Sequence, residues 1–364
     1  MTRSTLEVDL GAVHENARRL IEAAVGSRLW AVVKADGYGH GAVECAATAL
    51  SAGAERLCCA TLAEARELRE ALGAAVPIVV LSPLEPGEEP DAGGFEIVVS
   101  SLEDYARLRA AGVSCGVHVK ADTGMGRWGM ALVDALAVGR ELAAENGSLL
   151  LAGAMSHLAT ADDDPAFAAA QTAVFAALAA EFPPCPRHLA NSAAALTLPA
   201  TRFDAVRCGI ALYGVSPFDR DPAEHGLRPA LRWTSRVAGL RDLEPGQSAG
   251  YGRRLIARDA LRVAYVPVGY ADGYPRRASG RADVLVRGIR RRVAATVSMD
   301  QLTCVVDSEV ELGDEVALLG AQGGERVTPE ELAGHAETIG YEIVCAMTLA
   351  ARRGRRVYLR ALAQ

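Results

Sequence analysis

The sequence lacks the features that would place it in a membrane or outside the cell. Its first ten residues contain no continuous apolar core of the kind that a signal peptide needs, and no apolar run reaches the roughly 18 residues of a membrane span. The eight cysteines form no C-x-x-C pair and lie mostly among apolar residues. They are interpreted as reduced core residues, which excludes a disulfide framework and a zinc site. The sequence therefore predicts a cytoplasmic protein without a bound metal.

A surplus of positive charge is also missing. The formal net charge is -7 at pH 7, and basic residues cluster only in short runs such as 290–292 and 352–356. These runs are interpreted as solvated strand ends or subunit contacts. The charge pattern thus argues against nucleic acid as a partner.

What the chain has is length and apolar content, with 364 residues of which 50% are hydrophobic. That length predicts two domains, or one large barrel with an appendage. Residues 1–227 alternate short apolar runs with alanine-rich segments that have apolar positions at helical spacing. The predicted strands are Trp30–Lys34, Leu57–Ala60, Ile78–Leu81, Glu96–Val99, Gly116–Lys120, Ala152–His157, Arg187–Ala190 and Ala205–Ile210. Eight such alternations predict an α/β fold, an N-terminal (β/α)8 TIM-type barrel.

Residues 228–364 differ in character, because helical periodicity largely disappears and turn residues separate β-like runs. One short helix, Pro329–Ala336, is predicted. The predicted strands are Ala230–Leu240, Leu261–Val268, Ala282–Val286, Arg291–Val297, Gln301–Val306, Glu315–Leu319 and Val357–Ala361. This part is predicted to be a C-terminal, mostly β domain, with which residues 1–10 are expected to pair as a strand.

A barrel carries its site at the carboxyl ends of its strands. The apolar run before Lys34 would desolvate its amine, which lowers the pKa and favours covalent imine chemistry. Ser192 begins a helix, and Gly209 and Ile210 follow the last strand, an arrangement that can hold phosphate; the alternative is that Ser192 is only a helix cap. The polar residues predicted at this rim are Lys34, Lys120, Asp122, His157, Asn191, Ser192 and Arg207.

The segment AVVKADGYGHG, residues 31–41, resembles the pyridoxal phosphate (PLP) segment of alanine racemases nearly residue for residue. Further segments resemble this family in order along essentially the whole chain. They are residues 119–129, 156–157, 188–192, 206–214, 249–252, 268–273, 297–301 and 338–342.

The resemblance implies two catalytic bases. Lys34 would bind PLP and then act on one face of the substrate Cα, while Tyr251 of the partner subunit would act on the other, as racemisation requires. Arg207 resembles the arginine that donates to the pyridine nitrogen. His157 would lie between Arg207 and Tyr251, where positive character lowers the phenol pKa; a satisfied structural histidine is the alternative.

The resemblance also implies the binding residues and a homodimer with two shared sites. Arg127 would grip the substrate carboxylate. Lys120 is carbamylated in many relatives and would then orient Arg127; an unmodified lysine is the alternative. Met299 would contact the carboxylate through its backbone, Asp300 belongs to the same loop, and Tyr270 would narrow the entrance. The implied cofactor contacts are Tyr38, Asn191, Ser192, Gly209, Ile210 and Tyr341.

Departures from the family pattern are few. Cys208 stands where members of this family usually have proline, and Ser298 stands where cysteine is common. Residues 350–354 lack the R-x-P-R pattern that is expected near the end of the chain. The function implied is interconversion of L-alanine and D-alanine for peptidoglycan. The alternatives are a racemase of another small amino acid such as serine, a decarboxylase of the same architecture, and a noncatalytic PLP-binding protein.

Overall fold

The computed structural model describes residues 2–85, 87–88, 94–145 and 147–359. The chain divides into a first unit, residues 13–212 and 225–227, and a second unit formed by residues up to 12, 213–224 and 228 onward. None of the helices in the described ranges combines the length and the apolar character needed to cross a bilayer. The domain boundary predicted between residues 227 and 228 stays a prediction.

The first unit contains a closed parallel barrel, so the predicted (β/α)8 architecture is confirmed. Its strands are short apolar runs buried on both faces, as is usual where helices cover a parallel sheet. In barrel order they are Arg28–Val32, Arg56–Cys59, Ile78–Val80, Glu96–Val99, Cys115–Lys120, Leu149–Met155, Arg187–His188 and Ala205–Cys208.

Several barrel strands end two residues before the predicted ends. The strands predicted to end at Lys34 and His157 end at Val32 and Met155. The apolar pattern continues past the last ladder hydrogen bond because residues such as Val33 are still buried under the rim. Lys34 and His157 therefore lie on the turns that leave the sheet, whereas Lys120 and Arg207 lie within the ends of their strands.

Side-chain caps fix where several helices of this unit begin. Asp164 caps the helix Pro165–Glu181 by accepting hydrogen bonds from the backbone N–H groups of Ala166 and Phe167. Thr61 and Glu64 form a reciprocal capping box on Leu62–Leu72. The helices are Leu10–Ala23, Ala42–Ser51, Leu62–Leu72, Leu102–Ala110, Leu132–Ala144, Pro165–Glu181 and Ser192–Thr197, and Lys34–Tyr38 is a left-handed turn.

The second unit is built on β-sheets. One seven-stranded sheet has Thr5–Asp9 between Leu231–Arg236 and Arg355–Leu359. Its other strands are Ile289–Arg292, Asp283–Val286, Glu315–Gln322 and Glu325–Val327. A three-stranded sheet contains Gly239–Leu243, Leu261–Val266 and Leu302–Val306, and a pair contains Ser248–Ala249 and Leu255–Ile256. The predicted mostly β character is confirmed.

Three details of the second unit differ from prediction. The run 230–240 forms two strands in different sheets, because the chain leaves one ladder after Arg236 and enters another at Gly239. The run predicted as Arg291–Val297 is a strand only to Arg292. Besides Pro329–Ala336 the chain forms helices Gly340–Cys345 and Met347–Arg353, so the prediction of one helix is wrong; each is shorter than the span over which periodicity can be read. The end of the predicted strand 357–361 lies outside the described residues.

Candidate active site

Lys34 stands at the start of a left-handed turn. Ala35, Asp36, Gly37 and Tyr38 have φ values of 53°, 53°, 60° and 52°, a conformation that costs an ordinary residue roughly 1–2 kcal/mol. Side chains outside the turn hold it in place: Glu64 accepts from the N–H of Ala35 at 2.7 Å. Such strain is characteristic of functional sites, and here it sets the backbone direction of half-buried Lys34.

Arg207 is held rigidly within the barrel. Its side chain donates through Nη1 to the carbonyl oxygen and to Nδ1 of His188 at 2.7 and 2.8 Å. Nη2 donates to the carbonyls of Ser156 and Leu189 at 2.8 and 3.2 Å, and to Nδ1 of His157 at 3.2 Å. Nε makes no hydrogen bond with the described residues and is left to donate to a ligand. Burial lowers the pKa of Arg207 to about 10, so it stays charged at neutral pH.

His157 is neutral in this environment. Burial, followed by the charge of Arg207 and those of nearby basic residues, holds the pKa of His157 well below its ordinary value. Since Arg207 can only donate, Nδ1 of His157 accepts and Nε2 carries the proton. The positive character that the resemblance assigns to this position therefore comes from the guanidinium and reaches His157 through a hydrogen bond.

Lys120 is buried among other cations. Only 5% of it is exposed. Burial, then the charges of Arg207 and Arg127, lowers the pKa of Lys120 to about 8, with Lys34 adding to the effect and Asp122 opposing it. A large fraction of Lys120 is therefore an unprotonated, nucleophilic amine at mildly alkaline pH. The structure brings Lys34, Lys120, His157 and Arg207 into one electrostatic cluster at the rim.

Arg127 lies on an exposed loop whose shape depends on Asp122. Oδ1 of Asp122 accepts hydrogen bonds from the N–H groups of Gly124, Met125 and Gly126 at 2.9, 2.9 and 3.2 Å. Burial acts to raise the pKa of the Asp122 carboxyl, but these hydrogen bonds outweigh burial and lower that pKa. Asp122 thus shapes the Arg127 loop.

Ser192, Gly209 and Tyr38 form a tight cradle. The Asn191 side chain caps Ser192–Thr197 by accepting from the N–H of Ala194 at 3.0 Å, so the alternative in which Ser192 is the cap is wrong. Ser192 Oγ instead accepts from the N–H of Gly209 at 3.0 Å, which leaves its hydroxyl proton to donate. A Cβ added at Gly209 would lie 2.4 Å from the Tyr38 hydroxyl. These donors around a glycine suit a phosphate group, and buried Ile210 follows Gly209 directly.

The second unit carries Tyr251 on its surface. Tyr251 is 73% exposed, and its carbonyl accepts a hydrogen bond from Thr296 Oγ1 at 2.9 Å. It lines a cavity of about 540 Å³ together with Asp300 and other residues of the 296–303 segment. Tyr251 is thereby placed beside the loop that carries Met299.

Close backbone contacts fix the Met299 loop. The N–H groups of Tyr270 and Ala271 donate to the carbonyls of Ser298 and Met299, both at 3.0 Å. Met299 and Tyr270 are 53% and 40% exposed.

Ion pairs of Arg353 connect the Met299 loop to the neighbouring part of the second unit. Arg353 pairs with exposed Asp300 at 2.5 Å and with buried Asp272 at 3.3 Å. An arginine of the divergent 350–354 segment therefore stabilises the loop. Tyr341 lies half-buried in the helix Gly340–Cys345 of the same unit.

The sequence reasoning missed the polar residues inside the barrel. His188, His118 and Glu96 lie behind Arg207 and are connected to it by hydrogen bonds. The sequence did contain a signal for them, namely polar residues at positions where a buried strand should be apolar. His118 lies two residues before Lys120, and the two side chains therefore share one face of the strand.

A closed parallel barrel with basic residues at its carboxyl rim, joined to a β-rich second unit, defines a class of (β/α)8-barrel proteins with chemistry at the strand ends. Family models described as "Alanine racemase, N-terminal domain" and "Alanine racemase, C-terminal domain" match residues 8–217 and 230–358. The chain belongs to the alanine racemase family, and the resemblance stated from its motifs is confirmed.

Individual relatives agree over nearly the full length. The chain is 42% identical to alanine racemase from Symbiobacterium thermophilum, covering 97% of this chain and 96% of the relative. The crystal structure of alanine racemase from a D-cycloserine-producing Streptomyces lavendulae has a TM-score of 0.91 at 40% identity, covering 100% of this chain and 98% of that one. The Bartonella henselae enzyme with covalently bound pyridoxal phosphate has a TM-score of 0.88 at 27% identity, covering 99% and 100%.

Proposed function

We propose that this protein interconverts L-alanine and D-alanine, using PLP held by Lys34 and two bases on opposite faces of the substrate. The observation that carries the proposal is the match of both family models, which together span the strained Lys34 turn and the exposed Tyr251. We also propose that the protein is cytoplasmic and that its product serves peptidoglycan synthesis.

The residues at the rim fit PLP. Lys34 would hold it covalently, and Tyr38, Ser192, Gly209 and Ile210 would hold its phosphate, because the missing side chain at Gly209 lets the backbone lie close to the hydroxyls of Tyr38 and Ser192. Tyr341 would join them, and Asn191 would contribute by capping the helix that presents Ser192.

Bound PLP supplies an electron sink for the charge that develops at Cα when a proton leaves. Arg207 would donate through Nε to the pyridine nitrogen, and because an arginine keeps its proton it limits how much charge the ring accepts.

The two bases would act at Cα in turn. The Lys34 amine would remove or return a proton on one face. Tyr251 of the partner subunit does so on the other. The Nε2 proton of His157, polarised by Arg207, would stabilise the phenolate form of that tyrosine.

Two groups would hold the substrate carboxylate, the Arg127 side chain and the Met299 backbone. Arg127 would form the charged contact, and carbamylation of Lys120 would turn a cation that repels Arg127 into an anion that orients it. Met299 would add a backbone contact, with Asp300 supporting that loop and Tyr270 narrowing the entrance. A homodimer in which each site takes Tyr251 and Met299 from the partner follows from this assignment.

Chiral chromatography of L-alanine incubated with the purified protein and PLP tests the function. D-alanine is expected to appear until both enantiomers are equal. Carbon dioxide release would instead identify a decarboxylase, and faster conversion of L-serine a serine racemase. A bound-PLP spectrum without turnover of any amino acid would identify a binding protein.

Cofactor attachment has a test of its own. The chain contains two lysines, Lys34 and Lys120, so borohydride reduction followed by peptide mapping assigns the modified residue directly. We expect the label on Lys34 and none in Lys34→Ala. A label that persists in Lys34→Ala would remove Lys34 as the anchor.

A further inference from the structure

A line of buried polar groups runs through the barrel behind Arg207. Nη1 of Arg207 lies 2.8 Å from Nδ1 of His188, and Nε2 of His188 lies 3.0 Å from Nδ1 of His118. Nε2 of His118 lies 2.9 Å from Oε2 of Glu96, which Arg56 Nε also contacts at 2.9 Å. Both histidines are fully buried. The line of hydrogen bonds therefore runs through the barrel interior and connects Arg207 at the rim to the Glu96 carboxylate.

Only one arrangement of protons satisfies this line. Arg207 can only donate, so His188 accepts at Nδ1 and carries its proton on Nε2. His118 then accepts at Nδ1 and donates from Nε2 to the carboxylate. Burial lowers the pKa of both histidines, which keeps them neutral. Burial acts to raise the pKa of Glu96, but hydrogen bonds from His118 and Arg56 outweigh burial and lower that pKa. The Glu96 carboxylate therefore stays charged.

The surrounding packing is built for this pair of imidazoles. The Trp30 ring packs on both, with centroid separations of 4.4 Å to His188 and 5.6 Å to His118. A Cβ added at Gly153 would lie 2.4 Å from Nδ1 of His118 and 3.1 Å from Nε2 of His188. Any side chain at position 153 would therefore break the hydrogen bond between the rings.

No carboxylate of the described residues touches Arg207, although only 4% of this residue is exposed. Its other partners are carbonyl oxygens and His157. The hydrogen bonds of Arg207 lead to one negatively charged group among the described residues, Glu96, which is reached through the imidazoles of His188 and His118. Hydrogen bonds in a chain polarise one another, so the carboxylate strengthens each donor–acceptor pair up to the guanidinium.

We propose that Glu96 is a positioning residue that acts on Arg207 through His118 and His188, holding the guanidinium in the orientation that leaves Nε directed at the ligand. The effect on turnover rests on the proposed function, whereas the hydrogen-bonded chain does not. Glu96 and the two histidines thus form an internal support for the rim that is separate from the residues contacting substrate.

Three variants test this in the holoenzyme. Glu96→Gln removes the charge and keeps the shape, and His118→Leu cuts the chain in the middle. Each is expected to lower kcat about tenfold, the lower end of what loss of a supporting partner costs at metal sites, with KM little changed and a shifted absorption band of the bound PLP. Because both act on the same chain, the double variant should be no slower than the worse single one.

Glu55→Gln is the matched control. Glu55 contacts the same Arg56 at 2.8 Å and Trp30 Nε1 at 3.3 Å but neither histidine, so it should leave kcat and the absorption band unchanged. Additive losses in the double variant, or an equal loss in Glu55→Gln, would overturn the proposal. His118→Gln, which keeps one acceptor and one donor, is expected to restore part of the loss seen in His118→Leu.

A second readout needs neither turnover nor PLP. The Nε2 proton of His188 should give a strongly downfield NMR signal in the wild-type protein, and Glu96→Gln should move it upfield while Glu55→Gln does not. An unmoved signal would overturn the proposal. Absence of alanine turnover in the wild-type protein would count against the proposed function alone, because the proton signal reports on the chain in either case.

Discussion

At the scale of single residues, the rim is defined by buried basic groups that lie close together. Lys120 has a pKa lowered to about 8 by burial and by neighbouring charges, Arg207 first among them. Burial, followed by the charge of Arg207 and those of other nearby basic residues, also holds the pKa of His157 well below its ordinary value and keeps the imidazole neutral. Since the charged form of each group is penalised, bases are available here at pH values where exposed lysines are fully protonated.

The first prediction concerns Lys120. At a fixed concentration of dissolved 13C-labelled carbon dioxide, the carbamate signal in 13C NMR should rise as the pH passes upward through about 8, because only the deprotonated amine reacts. The control Lys120→Met should lose the signal, since Lys34 is the other lysine and would be attached to PLP in the proposed holoenzyme. A signal that survives in Lys120→Met would place the carbamate elsewhere.

The second prediction concerns Tyr251. Tyr251→Phe removes the base on one face only, so exchange of the Cα hydrogen with deuterated water should fall about a hundredfold or more from one enantiomer and much less from the other. The measurement is deuterium incorporation from L-alanine and from D-alanine separately. Tyr265→Phe, another tyrosine lining the same cavity, is the control. Equal losses from both enantiomers would contradict the two-base assignment.

At the scale of secondary-structure elements, the site depends on how chain segments leave the barrel. The turn Lys34–Tyr38 is left-handed over four residues, and its Tyr38 hydroxyl faces the end of the last barrel strand. Gly209 at that strand end has no room for a side chain. The two segments come from opposite ends of the barrel sequence and meet because the sheet closes.

The third prediction tests this contact. Gly209→Ala would place a Cβ 2.4 Å from the Tyr38 hydroxyl, which forces the phosphate cradle apart, so PLP affinity should fall at least about tenfold. Fluorescence titration of the apoprotein with PLP measures it. Gly334→Ala, at a helical glycine with nothing within 4 Å of the added atom, should bind PLP normally. Unchanged affinity in Gly209→Ala would remove the cradle from the cofactor site.

At the scale of the whole molecule, the residues that we propose act in one reaction are divided between the two units. Lys34, His157 and Arg207 belong to the barrel unit, whereas Tyr251 and Met299 belong to the second. If each site takes Tyr251 from a partner, the dimer is the smallest active form.

The fourth prediction follows from shared sites. Lys34→Ala and Tyr251→Phe are each expected to be nearly inactive, but a mixed dimer contains one site with both native residues. After subunit exchange of an equal mixture, about a quarter of wild-type activity should return, since half the dimers are mixed and half their sites are intact. The measurement is racemase activity after unfolding and refolding the mixture together. Activity that stays at the level of the separate variants would show that each site is built from one chain.

Part of this protein could be predicted from the sequence because the signals are local. Alternating apolar runs and amphipathic helices predicted the barrel, and the motif around Lys34 predicted the family. Each depends on residues close together in the chain, where spacing and side-chain chemistry suffice. The helices Gly340–Cys345 and Met347–Arg353 were missed since each is too short to display a period.

The sequence by itself determined which side chains reach the barrel rim and which family the chain belongs to. Only the tertiary structure decided where each strand stops, that Asn191 rather than Ser192 caps its helix, and that Arg207 is linked to Glu96 through His188 and His118. The physical reason is that ladders, caps and buried hydrogen bonds depend on partners distant in the chain, and closure of the sheet is what brings those partners together.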